Sequence, residues 1–364
     1  MKKDGFFRLF PPPRFLRTPS IGIDLSDESV HILELEFTPE GHTIKQQDTR
    51  LIPPGLVKSG RIVDMAKMQK IFIQMRKDYG LRFVNVALTE QHGYVFIMRV
   101  PKMKLSDIYD YLELHFEERV PLSAKNAVIV HDIIRGGDPE ENLAFIELSV
   151  SVYPKNILDE YIELFLGAGI IPFRFEIEAH AIARAVVPKG DKGTFMLLDF
   201  GRTKTGLSVV SQGVVRFTST ISVGGNIITR ALAREFSISF KEAEKLKKEK
   251  GFLIEGKDQK ILRALVPTIS ALKSEVVKHY QYWNTHNDFF GAKRPPIDDI
   301  ILCGGLSNLL GFLDYLAIDL HPNIRLANVF ENMNSFEKYI PDISFENSLQ
   351  YATAVGLTLS RNIS

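Results

Sequence analysis

Two hydrophobic periods alternate along the chain, and the switches between them mark its elements. Phe195-Met196-Leu197-Leu198 is a continuous apolar run that stops at Asp199 and turns through Gly201-Arg202-Thr203-Lys204-Thr205-Gly206. A short apolar run bounded by a glycine turn reads as an interior strand. The same plan occurs near the start, where Ile21-Gly22-Ile23 runs into Asp24, a small polar turn follows, and Val30-His31-Ile32-Leu33-Glu34-Leu35 goes back. A third apolar strand, Ile300-Ile301-Leu302-Cys303, ends in Gly304-Gly305 ahead of a helix. Two hairpins with an acid at the same place predict two related halves.

Spacings of three and four at Met68, Ile71, Phe72 and Met75 predict a core-facing helix over 65–79, ended by Gly80. Alternation predicts a strand around 47–52, two strands over 81–88 and 93–100 joined by a polar turn, and two more over 128–134 and 143–152. Helices are expected at 106–118, with Ser106 as N-cap, and at 155–166. Two strands, a helix, two strands and a helix read as a compact insert, with an acidic loop at 138–141. Further on, a helix runs through Arg184, a hairpin over 207–210 and 214–220 turns at Ser211-Gln212-Gly213, and Gly224-Gly225-Asn226 opens another helix. A lysine-rich helix, mostly a solvated face, spans 240–250 and stops at Gly251. A long helix over 262–282 with Trp283 as a packing residue, a break at 291–296, a helix at 311–321, a strand at 324–326 and a last helix at 349–359 complete the pattern.

Composition narrows the class. With 364 residues, 45% hydrophobic and 24% charged, the chain can bury substantial cores and divides into about two domains. A net charge of +1 supplies no general field for nucleic acid, which is not an expected partner. The single cysteine, Cys303, excludes an internal disulfide and reads as a small buried residue. No Cys/His zinc spacing occurs. No run of about 20 apolar residues and no secretory segment is present, which predicts a cytoplasmic chain. Residues 1–17 mix five basic side chains with phenylalanines around Pro11-Pro12-Pro13 and are expected to form a mobile tail.

The turns carry the candidate chemistry. Asp24 and Asp199 sit where a carboxylate can hold hydrated Mg²⁺, which keeps several of its waters. Ser26 and Ser29 lie in the first turn. In the second, Gly201 admits a phosphate, Thr203 and Thr205 offer hydroxyls, Lys204 a charge, and the loop amides an anion nest. Gly224 and Gly225 permit close approach of a ligand, and at Gly304 and Gly305 backbone can lie flat against a nucleoside. Glu178, just before a helix, is a candidate to orient an attacking water, whereas Glu176 reads as a helix-terminal charge. Glu244 and Lys247 share a helix face at a spacing of three.

Acid turn, acid turn, then glycine pair, in this order, resembles the actin-like ATPase superfamily. Within it the chain most resembles the PilM family of type IV pilus assembly proteins, relatives of the division protein FtsA. The resemblance extends through Val84-Asn85-Val86-Ala87-Leu88, Met98-Arg99-Val100-Pro101-Lys102-Met103, Phe116-Glu117-Glu118-Arg119-Val120-Pro121-Leu122, Phe175 to Ala185 and Tyr351 to Leu357. It implies an α/β, actin-like two-domain fold of duplicated ribonuclease-H-like halves, with a small FtsA/PilM-type insert in the first. The halves are expected at 18–82 with 169–191, and at 192–364 including a helical subdomain near 227–296, with the insert at 83–168. It also implies ATP and Mg²⁺ in the cleft, with Glu244 and Lys247 either touching adenosine or forming a plain charge pair.

The implied role is an ATP-binding scaffold whose main partner is the cytoplasmic N-terminus of a PilN-like inner-membrane protein. Other pilus inner-membrane or motor components would follow, with possible self-association, and the membrane would be met only through partners. Two alternatives are an active ATP hydrolase or phosphotransferase using Glu178, and an FtsA-like filament protein. The chain ends without the linker and amphipathic anchor expected of FtsA. It also departs from the family's first turn, with Ser26 in place of a glycine and carboxylates at Asp27 and Glu28. If that position needs a positive φ the serine strains the turn, and the two carboxylates are expected to oppose ATP unless they point outward or Mg²⁺ intervenes. Gly206 stands where the family often has asparagine.

Overall fold

The computed structural model describes residues 20–38, 41–138, 141–252, 259–320, 322–333 and 339–359. The tail expected at 1–17 and the centre of the acidic loop lie outside the described residues.

In chain order the elements are β1 Ser20–Leu25, β2 Ser29–Thr38, β3 Gly41–Leu51, β4 Val57–Lys58, β5 Arg61–Ile62, α1 Met65–Tyr79, β6 Phe83–Leu88, β7 Tyr94–Pro101, α2 Ile108–His115, β8 Ala127–Arg135, β9 Phe145–Pro154, α3 Lys155–Gly167, β10 Ile171–Ile177 and α4 Glu178–Val186. There follow β11 Thr194–Phe200, β12 Thr205–Ser211, β13 Val214–Ile221, α5 Gly225–Phe236, α6 Phe240–Lys250, α7 Gln259–Thr285, β14 Asp299–Cys303, α8 Phe312–Ala317, β15 Asn323–Leu326, α9 Phe345–Ser348 and α10 Ala352–Thr358.

Two five-stranded sheets repeat one topology. The first has the order β10-β6-β1-β2-β3 and the second β13-β12-β11-β14-β15. In each, a leading strand makes an antiparallel meander with the next two and pairs in parallel with a strand reached by crossover: β1 with β6, and β11 with β14. This is the duplication that the two acid-ended hairpins predict, and the architecture is an α/β fold of two mixed sheets.

Side chains of the second sheet segregate by the two-residue period of a strand. Met196, Leu198, Phe200, Leu207 and Leu302 join a core with Ile228, Leu265, Ile269 and Phe312. The opposite face, with Phe195, Leu197, Val210, Ile301 and Cys303, joins the core of the first half around Ile23, Ile32, Phe72 and Phe165. The strands buried on both faces are the ones that read as continuous apolar runs.

Local signals set the helix ends. Asp64 accepts the Lys67 amide at 3.0 Å ahead of α1, and Gly80 closes it at φ 67. Ser239 and Glu242 form a reciprocal capping box at α6, which ends at Gly251. Ser106 does not cap α2: its hydroxyl turns to the Asp107 carboxylate at 2.6 Å, and a short 3-10 turn precedes the helix. Trp283 packs as expected, buried, with its indole N–H on the Pro295 carbonyl at 2.8 Å.

The insert is smaller than its reading. Residues 81–88 and 93–100 do not pair with each other, because β6 lies between β1 and β10 in the first sheet while β7 joins β9 and β8 in a separate three-stranded sheet. Helix α3 also serves the first half, through Ile157, Tyr161, Leu164 and Phe165. The insert sheet leans on the second half: Glu147, buried, receives Arg99 and Arg135 from its own sheet and Arg216 from β13 at 3.1 Å. The last helix, α10, turns back to the first half, where Asn85 donates to the Leu357 carbonyl at 3.0 Å.

Candidate functional site

The two acid turns face each other across a cleft of about 500 Å³ between the sheets. Asp24 and Asp199 occupy the same step of equivalent strands, opposite His31 and Gly206 in their hairpins. Around them the cleft brings together Ser26, Ser29, Gly201, Thr203, Lys204, Glu178, Gly225, Glu244, Lys247, Gly304 and Gly305. Two expected residues stand behind this surface. Thr205 is fully buried and spends its hydroxyl on the Val223 carbonyl at 2.7 Å. Gly224 packs so closely on the backbone of Arg202, Thr203 and Lys204 that a Cβ there would collide with it. Both shape the loop.

The second turn is held from below. Gly225 and Asn226, at the start of α5, donate their amides to the carbonyls of Gly201 and Arg202 at 3.0 and 2.8 Å, which satisfies amides that a helix N-terminus leaves without intrahelical partners. The first turn closes on itself: the Ser26 amide donates to the Ser29 carbonyl at 2.9 Å and the two hydroxyls meet at 2.8 Å. Ser26 has no positive φ, since among the described non-glycine residues only Ser59, Gln212 and Ser237 do. The strain expected from its replacing a glycine is therefore absent.

The carboxylates beside it are also accounted for. Asp27 turns away from the cleft and accepts the amides of Ser59 and Gly60 at 3.0 and 2.9 Å. Glu28 reaches across to the second half, accepting from Asn226 at 2.8 Å and Arg202 at 3.3 Å. The predicted repulsion is thus redirected into a tie between the two halves.

At the back of the cleft lies a charge cluster that sequence reasoning only half found. Glu178 Oε2 accepts from Lys204 Nζ at 3.0 Å, and Lys204 also donates to the Thr89 hydroxyl. Burial opposes ionisation of Glu178, but the Lys204 ammonium and a hydrogen bond with Glu90 outweigh it and hold its carboxyl below the usual range. Glu90 is pushed well above that range by burial and by Glu178. Asp199 is pushed up to about 7 by burial, by Glu178 and by Asp24. A cation beside Asp199 would favour its ionised form.

Glu176 lies outside this cluster and forms a two-pronged pair with Arg184. Cys303 is buried, with Sγ 3.8 Å from Asp199 Oδ1, and burial raises its thiol far above reactivity.

Glu90 and His31 were missed. His31 Nδ1 lies 3.2 Å from Asp24 Oδ2, a position legible from the hairpin, because a tight turn sets residues 24 and 31 opposite each other. Glu90 carried no local signal. It comes up behind Lys204 because Gly206 has no side chain: a Cβ there would overlap its carboxylate.

Glu244 and Lys247 pair at 2.7 Å, and Lys247 also donates to Thr229 at 2.9 Å. They form a charge pair and line the cleft as well. At the floor, Gly304 has φ +82, and a Cβ there would overlap Asp199, while the Cβ position of Gly305 meets nothing within 4 Å. Gly305 therefore faces open space.

Two sheets of repeated topology, closing on paired acids and a glycine pair, define an actin-like ATPase fold. The family described as type IV pilus assembly protein PilM matches residues 22–362, and the chain belongs to that family. Among solved structures it is similar to the protein in a PilM-PilN type IV pilus biogenesis complex, at 20% identity and TM-score 0.78, over 94% of this chain and 98% of that one. It is also similar to the ethanolamine utilization protein EutJ from Carboxydothermus hydrogenoformans, at 17% identity and TM-score 0.56, over 94% and 90%. MreB 5 of Spiroplasma citri bound to AMPPNP matches at 13% identity and TM-score 0.53, over 93% and 94%. Among the described residues no helix is long and apolar enough to cross a membrane.

Proposed function

We propose that the chain is an ATP-binding scaffold of type IV pilus assembly that docks the cytoplasmic N-terminus of a PilN-like inner-membrane protein, and other pilus components through it. The observation that carries the nucleotide half is the cleft itself: equivalent acids from both halves converge above a glycine floor that opens at Gly305. In this reading Asp24 and Asp199 hold Mg²⁺ through its waters, and Ser26, Ser29, Gly201, Thr203 and Gly225 surround the phosphates. Gly304 and Gly305 lie under the nucleoside, with Glu244 and Lys247 at its edge. Lys204 stands next to Thr203, with its ammonium on Thr89 and Glu178.

The partner half rests on family membership and on the likeness to the PilM-PilN complex. An extended peptide gains main-chain hydrogen bonds and side-chain pockets in a groove. Nucleotide couples to it only by binding the open and closed arrangements of the halves unequally.

Calorimetric titration with Mg-ATP, with and without a peptide copied from a PilN-like N-terminus, tests both halves. The expected result is binding of each, with peptide affinity changed by ATP. Asp199→Asn, equal in shape, is expected to weaken Mg-ATP binding about tenfold or more, a loss of about 1.4 kcal/mol. Neither heat nor thermal shift with Mg-ATP would refute the nucleotide assignment, and no peptide heat would refute the partner.

A further inference from the structure

Lys204 is placed unlike a phosphate-binding lysine. It stands in the β11–β12 turn of the second half, yet its ammonium is spent on the first half: on the hydroxyl of Thr89, just after β6, and on Glu178 at the head of α4. The lysine side chain is 21% exposed and that of Glu178 6%, and both line the cleft. Glu90 lies beside the pair, 7% exposed, with one carboxyl oxygen, Oε2, that has no partner. Its position depends on the missing side chain at Gly206, so the cluster is built jointly by both halves.

Hydrolysis would require a carboxylate free to accept a proton from water. The water oxygen would bond to the terminal phosphorus as the bond to the departing diphosphate oxygen breaks, with the proton passing to the base. Glu178 is the candidate acid for that task, and its Oε2 is already engaged by an ammonium.

We propose that Lys204 is an interdomain clasp: it ties the second half's phosphate turn to Thr89 and Glu178 of the first half and occupies Glu178 Oε2 with its ammonium, so that the cleft keeps a nucleoside triphosphate uncleaved. Lys204 acts through Glu178 and is a positioning residue. The retention rests on the nucleotide reading above, while the clasp itself does not. A closed, slowly hydrolysing state suits a scaffold whose output is a conformation.

The test has one arm without nucleotide and one with it. In the full apo chain, amide hydrogen exchange is measured at residues 89–93 and 201–206 in the wild type, in Lys204→Met and in the double variant Lys204→Met, Glu178→Gln. The double variant leaves no buried charge unpaired and serves where the single one folds poorly. Faster exchange at both segments in the variants is expected, and unchanged exchange overturns the clasp.

In the second arm the protein is loaded with Mg-ATP and the bound nucleotide is analysed over time. A general base contributes about 10²–10⁴ in rate, so Lys204→Met is expected to cleave bound ATP at least about tenfold faster than the wild type, and the double variant to lose that gain. Equal rates in wild type and Lys204→Met, or fast Glu178-dependent cleavage in the wild type, overturn the retention. Faster exchange in the variants, together with a wild type that shows no thermal shift with Mg-ATP, would support the clasp and refute the nucleotide reading alone.

Discussion

Asp27 offers a direct test of how the first turn departs from its family. A carboxylate beside a phosphate path would repel ATP, and replacing it should then tighten binding. The structure predicts a loss of stability and no gain in affinity, because both oxygens of Asp27 are used on the far side of the turn, on the amides of Ser59 and Gly60. Those amides belong to the two-residue turn between β4 and β5, where Ser59 and Gly60 have φ of 52 and 74. Hydrogen bonds to a charged group are worth about 1.5–3 kcal/mol each. Partial exposure and the neighbouring bonds to this turn, from His92 at 2.6 Å and Tyr161 at 3.0 Å, bring the expected loss for Asp27→Ala to about 2–4 kcal/mol. The loss is read as a shift of the urea midpoint at constant slope, and Mg-ATP affinity of the same variant is expected to stay within about threefold, or 0.7 kcal/mol. A tenfold gain in affinity with less than about 0.5 kcal/mol lost in stability would mean that the carboxylate faces the phosphates.

Two further outcomes separate packing from binding and test a buried histidine. A Cβ on Gly356 of α10 would overlap the Ala181 carbonyl of α4, backbone against backbone, so Gly356→Ala is expected to cost about 2–3 kcal/mol by denaturant titration; Gly305→Ala, entering open space, should leave stability within about 0.5 kcal/mol and weaken nucleotide binding, and the reverse pattern would refute the assignment of the floor. Burial lowers the pKa of His180, whose Nε2 lies 3.0 Å from the Ser151 hydroxyl. The folded chain then binds fewer protons than the unfolded one, and stability falls as pH drops below about 6.5; His180→Gln should flatten that fall by up to about 1.4 kcal/mol per pH unit, and parallel curves would exclude the residue as its source.

The repeated acid hairpins were legible because each packs strand, acid and turn into about ten residues, where local periodicity decides the outcome. The insert boundary was not, for a reason visible in the burial of β6. Residues 84–88 are buried at every position, the pattern of a central parallel strand, whereas β7 varies along its length. Adjacency in sequence suggested a hairpin, and sequential strands are neighbours only about two-thirds of the time.

The first turn shows a different limit. Ser26, Asp27 and Glu28 each look unfavourable when set position by position against a family pattern. Each proves to have a partner: Ser29 locally, the amides of Ser59 and Gly60 on a ribbon some thirty residues away in the chain, and Arg202 with Asn226 across the cleft. The same holds for Gly206, whose missing side chain is replaced in space by Glu90. A substitution in such a turn carries its energetic meaning through contacts distant in sequence. Glu28, Gly206 and Lys204 all lead to contacts between the halves, through Arg202, Glu90 and Glu178 in turn. The two turns therefore couple the halves around the cleft that the paired acids define.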